Sequence, residues 1–426
     1  MREVYIVAVG CTPFGKHADL GFRELARQVV DLIAADAGPD AGAAIGGELD
    51  TLWFGNCFMH AWGQPNVRGQ MVLVDLMDEG RLPRRLPVTN VEAACATGSL
   101  AFHGAVKDIR SGEAELSLAL GVEKLVLPAA AGADRPTPMS LLAGCADNLS
   151  HERLLDTYRI AAGEVGRTIE FGPDRSMFMD TYATQALLHM KEFGTTREQI
   201  AVGSAKNHNY GAQNPLAQYR FTTTPDAVLN DREISYPLTR SMCSPISDGA
   251  AAALVCSGDW LERQSPAVRE RAVRVRATAA AGGTYLRASS DPTLSHEAAA
   301  RAYARAGLKP ADVDVAEVHD ATSFGEILQV EMLGFCRPGQ GGAFVADGAT
   351  GPYGVVPVNT SGGLVSKGHP VGATGLSMIY ELTRQLRGEA GTRQVANARI
   401  GLAENGGGVI GLEEATCAVS ILERSA

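Results

Sequence analysis

Residues 87–115 read PVTNVEAACATGSLAFHGAVKDIRSGEAE, and residues 357–391 read PVNTSGGLVSKGHPVGATGLSMIYELTRQLRGEAG. The two stretches repeat one plan: a short strand, a tight turn of small residues, a helix with an apolar face, and an exit through Arg-Ser-Gly-Glu or Arg-Gly-Glu. Their flanks repeat as well. A helix precedes a strand upstream in each half, 22–34 before DTLWFGN (50–56) and 297–306 before DVAEVHD (314–320). Each half closes on a glycine-rich turn and an apolar strand, ISDGAAAALVC at 246–256 and NGGGVIGLEEATCAVSIL at 405–422. Such self-similarity predicts a duplicated α/β fold. The expected halves are residues 1–262 and 263–426, joined near Arg263–Val268. Duplication tends to set corresponding turns across a pseudo-symmetric centre, so Cys95 and His369 are expected to meet despite their separation in the chain.

Working outward, periodicity fills in the first half. Strands are expected at 4–9, 52–55, 86–91 and 115–122, and helices at 22–34, 66–77 and 99–109. In the first helix Leu25, Val29, Leu32 and Ile33 share one side, the spacing of a half-buried helix. Residues 115–122 are nearly all apolar, as a strand covered on both faces requires. Residues 128–240 have no counterpart in the second half. They hold a helix-like stretch at 176–193 and polar loops such as KNHNYGAQNPLAQYR (206–220). A large insertion in one half only is expected to form a lid or a substrate-binding subdomain.

Bulk properties narrow the function. The 426 residues are 45% hydrophobic and 20% charged, ordinary for a globular chain able to bury a large core without staples. The net charge of −10, with no basic stripe, excludes a nucleic-acid binder. An anionic substrate must therefore find local Lys, Arg or helix N-termini. The eight cysteines are scattered without C-x-x-C, so no disulfide framework is expected. Cys57 and His60 have zinc-like spacing but no second pair nearby, and no metal is expected. No apolar run nears the ~20 residues of a membrane helix, and the N-terminal MREVYIVAVG reads as a strand. The expectation is a soluble, cytoplasmic protein in a reducing compartment.

Three places carry candidate chemistry. Cys95 lies in Ala93-Ala94-Cys95-Ala96-Thr97-Gly98, after a strand and at the start of an apolar helix. A thiol there faces the positive end of the helix, which favours the nucleophilic anion, and its small neighbours let a substrate approach. His369 lies in Ser366-Lys367-Gly368-His369-Pro370-Val371-Gly372, presented at the tip of a glycine-rich turn. His319 ends the apolar strand DVAEV and opens a loop, the place where α/β folds set their sites. Asn405, Gly406 and Gly407, with Gly408, read as a loop whose backbone N–H groups suit a carbonyl oxygen or an oxyanion. Taken singly, each also fits a plainer reading: a small buried thiol, a packing or capping histidine, a tight hairpin turn. No dinucleotide fingerprint, P-loop or G-x-S-x-G elbow is present.

Together these residues carry a resemblance. EAACATGSLAFHGAV, KNHNYGAQNP, SPISDGAAAALV, EVHDATSFGE and NTSGGLVSKGHPVGATG are similar, in this order and over nearly the whole chain, to blocks of the thiolase superfamily. They look most like its sterol-carrier-protein-X and acetyl-CoA acetyltransferase branch, with a His-Asp pair where other thiolases carry Asn-Glu. The resemblance implies a five-layered αβαβα fold with a loop domain over the site, a homodimer or tetramer, and no permanently bound cofactor. It implies an acyl-CoA C-acyltransferase with acyl-CoA and coenzyme A as substrates, working degradatively on a 3-oxoacyl-CoA or in reverse. Cys95 would accept the acyl group, His369 would activate it, and His319 would help hold the enolate oxygen. Several relatives in this branch work with a small zinc-ribbon/OB-fold partner.

One departure stands out. Thiolases generally use a second cysteine as acid/base at the substrate α-carbon, in a Cys-x-Gly turn near the C-terminus or, in this branch, after the His-Asp pair. Here those places read Ala403-Glu404-Asn405-Gly406 and His319-Asp320-Ala321. Cys417 lies well past the loop. Glu404, or a water held by His319, is the replacement within reach. The departure keeps two other activities open: retro-aldol cleavage of, or acyl transfer from, a related CoA thioester, and acyl-CoA binding without turnover.

Overall fold

The computed structural model describes residues 2–126, 137–168, 176–285 and 293–425. Nine strands form one mixed sheet. We number them β1 (Val4–Cys11), β2 (Thr51–Gly55), β3 (Val88–Val91), β4 (Leu116–Glu123), β5 (Gly249–Ser257), β6 (Val273–Gly282), β7 (Val315–Glu317), β8 (Ile400–Gly407) and β9 (Thr416–Arg424). Their order across the sheet is β3-β2-β4-β5-β1-β6-β9-β8-β7. Read from the middle outward, each half repeats one arrangement. The first strand of each half lies at the centre, β1 beside β6, followed by the last strand of that half and then the earlier ones. A short bridge from Val358 to Ala316 supplies the second half's counterpart of β3.

The two half-sheets fold over two central helices, α1 (Thr97–Ser111) and α2 (Thr374–Leu386), which touch each other and strands of both halves. The helix Phe22–Gly47 covers the outer face of the first half, and Leu294–Ala306 that of the second. The layers are helix, sheet, helices, sheet, helix. β4 and β5 are buried along their whole length, which explains their unbroken apolar sequence. The run of alanines in β5 lets helices approach on both faces.

The centre depends on glycine at matching places. A Cβ on Gly98 of α1 would lie 3.0 Å from the backbone nitrogen of Leu376. A Cβ on Gly375 of α2 would strike the backbone nitrogen of Ser99. The contact is reciprocal, as two-fold related elements require. A buried carboxylate ties the same region together. Glu123, at the end of β4, accepts the N–H of Cys57 at 2.9 Å and that of Gly372 at 3.2 Å. Burial pushes its carboxyl up to about 7 against the pull of those backbone donors.

Most elements appear where the pattern placed them, with edges shifted by a few residues. The first helix runs on to Gly47 through a break at Gly38. One reading is corrected. Asn405, Gly406 and Gly407 do not form a loop: β8 continues through Gly407, paired with β9 as far as Gly407 opposite Thr416, and the chain turns from Gly408 at φ 69°. Glycines are poor strand formers. They are tolerated here because the Glu414 carboxyl and the Cys95 turn occupy the space that side chains would take.

Candidate active site

The turn that carries Cys95 is a short 3₁₀ segment, Ala94–Ala96, leading into α1. Ala94 has φ +47°, an uncommon conformation for a residue with a side chain. Three bonds brace it. Glu92 accepts the N–H of Ala94 at 2.8 Å, Thr97 Oγ1 accepts that of Ala93 at 2.8 Å, and the Thr97 hydroxyl donates to the Ala94 carbonyl at 2.7 Å. Gly407 lies alongside, and a Cβ there would come within 2.8 Å of the Cys95 nitrogen. Without that side chain β8 can press against the turn.

His369 Nε2 lies 3.1 Å from Cys95 Sγ. Its ring is fixed on the far side, where Nδ1 is 2.7 Å from Thr374 Oγ1. The Thr374 hydroxyl gives its one proton to the Pro370 carbonyl at 3.1 Å. Its oxygen must therefore accept from Nδ1–H, which leaves the lone pair of His369 on Nε2, facing the thiol. Burial, the charge of His319 and then that of Lys367 hold His369 well below the ordinary imidazole range. A neutral imidazole with its lone pair on a thiol is arranged to take the thiol proton.

His319 is the third member. A ring nitrogen of each imidazole and the sulfur of Cys95 lie within 4.8 Å of one another, and the two rings are 5.5 Å apart between centroids. His319 Nδ1 bonds Glu414 at 3.0 Å, and its backbone N–H donates to Glu404 at 3.0 Å. Burial works against an imidazolium here, but the sulfur of Cys95 and the carboxylate of Glu414 outweigh it and raise His319 well above its usual range. The two imidazoles are thus shifted in opposite directions.

Cys95, His369 and Ala321 open onto a cavity of about 390 Å³. Its remaining wall is mostly apolar. Much of it comes from the insertion, including Met139, Phe178, Met179, Tyr182 and Tyr219, with Arg232 and Arg240 as its cations. The stretch 128–240 therefore contributes the cavity wall, although 128–136 and 169–175 lie outside the described residues.

The other candidates resolve differently. Asn405 turns its side chain to Ser99, whose hydroxyl it accepts at 3.0 Å. Gly406 gives way to the carboxyl of Glu414, which a Cβ would strike. Glu404 is fully buried. Besides the His319 N–H it accepts Ser295 at 3.1 Å and the thiol of Cys417 at 3.3 Å. Burial, then Glu414, pushes it up to about 7. Cys417, remote in sequence, reaches this cluster because β9 pairs back along β8. Cys57 faces Thr97 at 3.0 Å, while His60 turns to the Cys57 carbonyl. Sequence reasoning missed Thr374 and Glu414. The only trace of Glu414 was an acidic pair, Glu413-Glu414, in an otherwise apolar C-terminal segment.

Comparison with known proteins gives the following. Residues 4–225 match the family described as thiolase, N-terminal domain, and residues 278–424 the family described as thiolase C-terminal domain-like. The chain is 36% identical over 429 residues to the acetyl-CoA acetyltransferase of Methanothermobacter thermautotrophicus, covering 100% of both. It is 32% identical over 424 residues to sterol carrier protein 2 of Bos taurus, covering 96% of this chain and 71% of that protein. Among solved structures, the Ltp2-ChsH2(DUF35) aldolase superposes with a TM-score of 0.76 at 21% identity, over 99% of this chain and 98% of the other.

Proposed function

The chain belongs to the thiolase family and is a thiolase-type acyl-CoA C-acyltransferase, and from that premise we propose that Cys95 carries the acyl group between substrate and coenzyme A. The observation that supports this most is the 3.1 Å approach of the His369 lone pair to Cys95 Sγ at the cavity wall. In the degradative direction Cys95 attacks the keto carbon of a 3-oxoacyl-CoA while His369 takes the thiol proton. The C–C bond breaks, its electron pair passes into the enolate of the shorter acyl-CoA, and an acyl-Cys95 thioester remains. The enolate takes a proton from solvent at its α-carbon and leaves as the shorter acyl-CoA. Coenzyme A, its thiol proton given up to solvent, then attacks the thioester, and the proton on His369 returns to Cys95 as its sulfur leaves. Passing through a covalent thioester replaces one hard step by two easier ones.

In this reading His319 faces the enolate oxygen. The backbone around Asn405, Gly406 and Gly407, close against the Cys95 nitrogen, serves the thioester oxygen of the acyl-enzyme. The same proposal divides the chain at 262/263, supported by the repeated strand order about β1 and β6. It takes the protein to be a cytoplasmic homodimer or tetramer. No described helix is long and apolar enough to cross a membrane, all eight cysteines are free, and the edge strand β3 offers a surface for a second copy. A small zinc-ribbon/OB-fold partner is part of the proposal, supported by the solved neighbour whose name joins Ltp2 to ChsH2(DUF35).

The experiment is acylation without acceptor. Acyl-CoA mixed with the enzyme in the absence of coenzyme A should add one acyl group to Cys95, seen by mass spectrometry. Cys95→Ala should abolish the adduct and lower carbon–carbon cleavage by about 10⁴-fold or more. Near-full cleavage by Cys95→Ala would overturn the assignment and point to retro-aldol chemistry.

A further inference from the structure

Glu413 and Glu414 are adjacent, yet their carboxylates do different work. Glu413 accepts two backbone N–H groups, of Thr284 at 2.6 Å and of Leu294 at 2.9 Å, and so ties down the start of an outer helix. Glu414 turns inward through the gap left by the missing side chain of Gly406 and meets His319 Nδ1 at 3.0 Å. His319 is 2% exposed, and its other nitrogen, Nε2, has no oxygen or nitrogen partner and looks toward the sulfur of Cys95. A buried ring nitrogen with only a thiol beside it is open to an oxygen of a ligand.

We infer that Glu414 is a positioning residue: it holds His319 as a cation and turns Nε2–H toward the enolate oxygen formed when the carbon–carbon bond breaks. The inference rests on the reading of His319 given above and adds its orientation, its charge and the group that sets both. With Nδ1–H given to Glu414, Nε2 is the nitrogen left for the site. A charged donor there strengthens as negative charge gathers on the substrate oxygen. This bears on the missing second cysteine. Glu404, standing at one of its usual places, is engaged by three donors, and Ala321, at the other, carries no acid. A cationic His319 makes the enolate a better leaving group without a thiol acid beside it.

The groups facing this ring are Cys95 from the nucleophile turn, His369 from the turn before α2, Glu404 from β8 and Glu414 from the turn before β9. Tyr182 of the insertion stands near Cys95 and Glu414. Glu414 holds the ring charged, so its removal lets the ring lose its proton at lower pH.

The test separates two reactions of the full-length enzyme. Exchange of labelled coenzyme A into an acyl-CoA passes through acyl-Cys95 but forms no enolate, whereas cleavage of a 3-oxoacyl-CoA forms one. Glu414→Gln should lower kcat for cleavage about 10–100-fold, the usual effect of removing a group that orients a reacting histidine. Coenzyme A exchange should stay within about threefold, and the alkaline limb of the cleavage profile should move to lower pH. Glu414→Asp should recover part of the loss. An equal fall in both reactions would reduce Glu414 to a structural prop, and unchanged cleavage with an unmoved alkaline limb would remove it from the site. Absence of exchange in the unmodified enzyme would instead defeat the acyl-Cys95 reading.

Discussion

The turn at Cys95 and the turn at Gly372 share the letters Ala-Thr-Gly, at 96–98 and 373–375, and both open a central helix, yet they use the shared threonine differently. Thr97 braces backbone. It holds the Ala93 N–H and the Ala94 carbonyl around a residue at φ +47°. Thr374 fixes chemistry. Its proton goes to the Pro370 carbonyl, and its oxygen assigns the proton on His369. Val371, which corresponds to Ala94, has no positive φ. Of the two turns, the one that carries Cys95 holds the left-handed non-glycine residue. Duplication supplied a symmetric frame, and the activity lies in the departures from symmetry.

The frame itself is the first thing to break. Because Gly98 and Gly375 face each other's helix start, alanine at either should push the two turns apart. Gly375→Ala meets backbone and the Ser99 hydroxyl, whereas Gly98→Ala has 3.0 Å to its nearest atom. Overpacking of this kind costs about 1–3 kcal/mol, occasionally more. Gly375→Ala should therefore be the larger loss in denaturant unfolding, and each should also slow Cys95 acylation by shifting sulfur from imidazole. Equal stability of both variants with the unmodified protein would show that the central contact is loose and the symmetry incidental.

The threonine pair sharpens the comparison. Thr374→Val keeps shape but frees His369 to place its proton on either nitrogen. Acylation of Cys95 in single-turnover kinetics should fall about 10–100-fold, the range for groups that orient a functional histidine. Thr97→Val should chiefly lower stability, by about 1–3 kcal/mol, because the Ala93 N–H beside a left-handed residue loses its acceptor, while the Ala94 carbonyl keeps the Thr97 N–H and the Cys57 thiol. The signature is the crossing of effects. Both variants losing stability alone would mean that Thr374 is only a brace.

Much of this was legible in the sequence. The repeated strand-turn-helix pattern carried the duplication and, through it, the meeting of Cys95 and His369. The one-sided insertion carried the cavity wall. What was not legible came from pairing between strands. Glycines at 405–408 look like a loop because glycine disfavours strands, and only the packing of Glu414 and of the Cys95 turn against β8 explains why a strand uses them. Glu414 and Cys417 reach His319 and Glu404 across a register that local sequence does not encode. Thr374 was within view, but its role needs the Pro370 bond.

The smallest effect concerns pH, and its sign follows from the opposite shifts of the two rings. The role proposed for His369, taking the Cys95 proton, requires a neutral ring. Burial, followed by the charges of His319 and Lys367, holds it well below the ordinary value of 6.5. Its protonation, and the loss of acylation that follows, comes only as pH falls through that lowered value. Single-turnover acylation of Cys95 should thus stay nearly flat as pH is lowered from neutrality to 6.5. If the acid limb centres at 6.5 or above, His369 is not shielded in this way. Glu414→Gln tests the same coupling from the other side. A His319 that loses its charge more readily no longer opposes protonation of His369, so the acid limb should move to higher pH. A limb that stays in place would mean that the two imidazoles, though 5.5 Å apart between centroids, titrate independently.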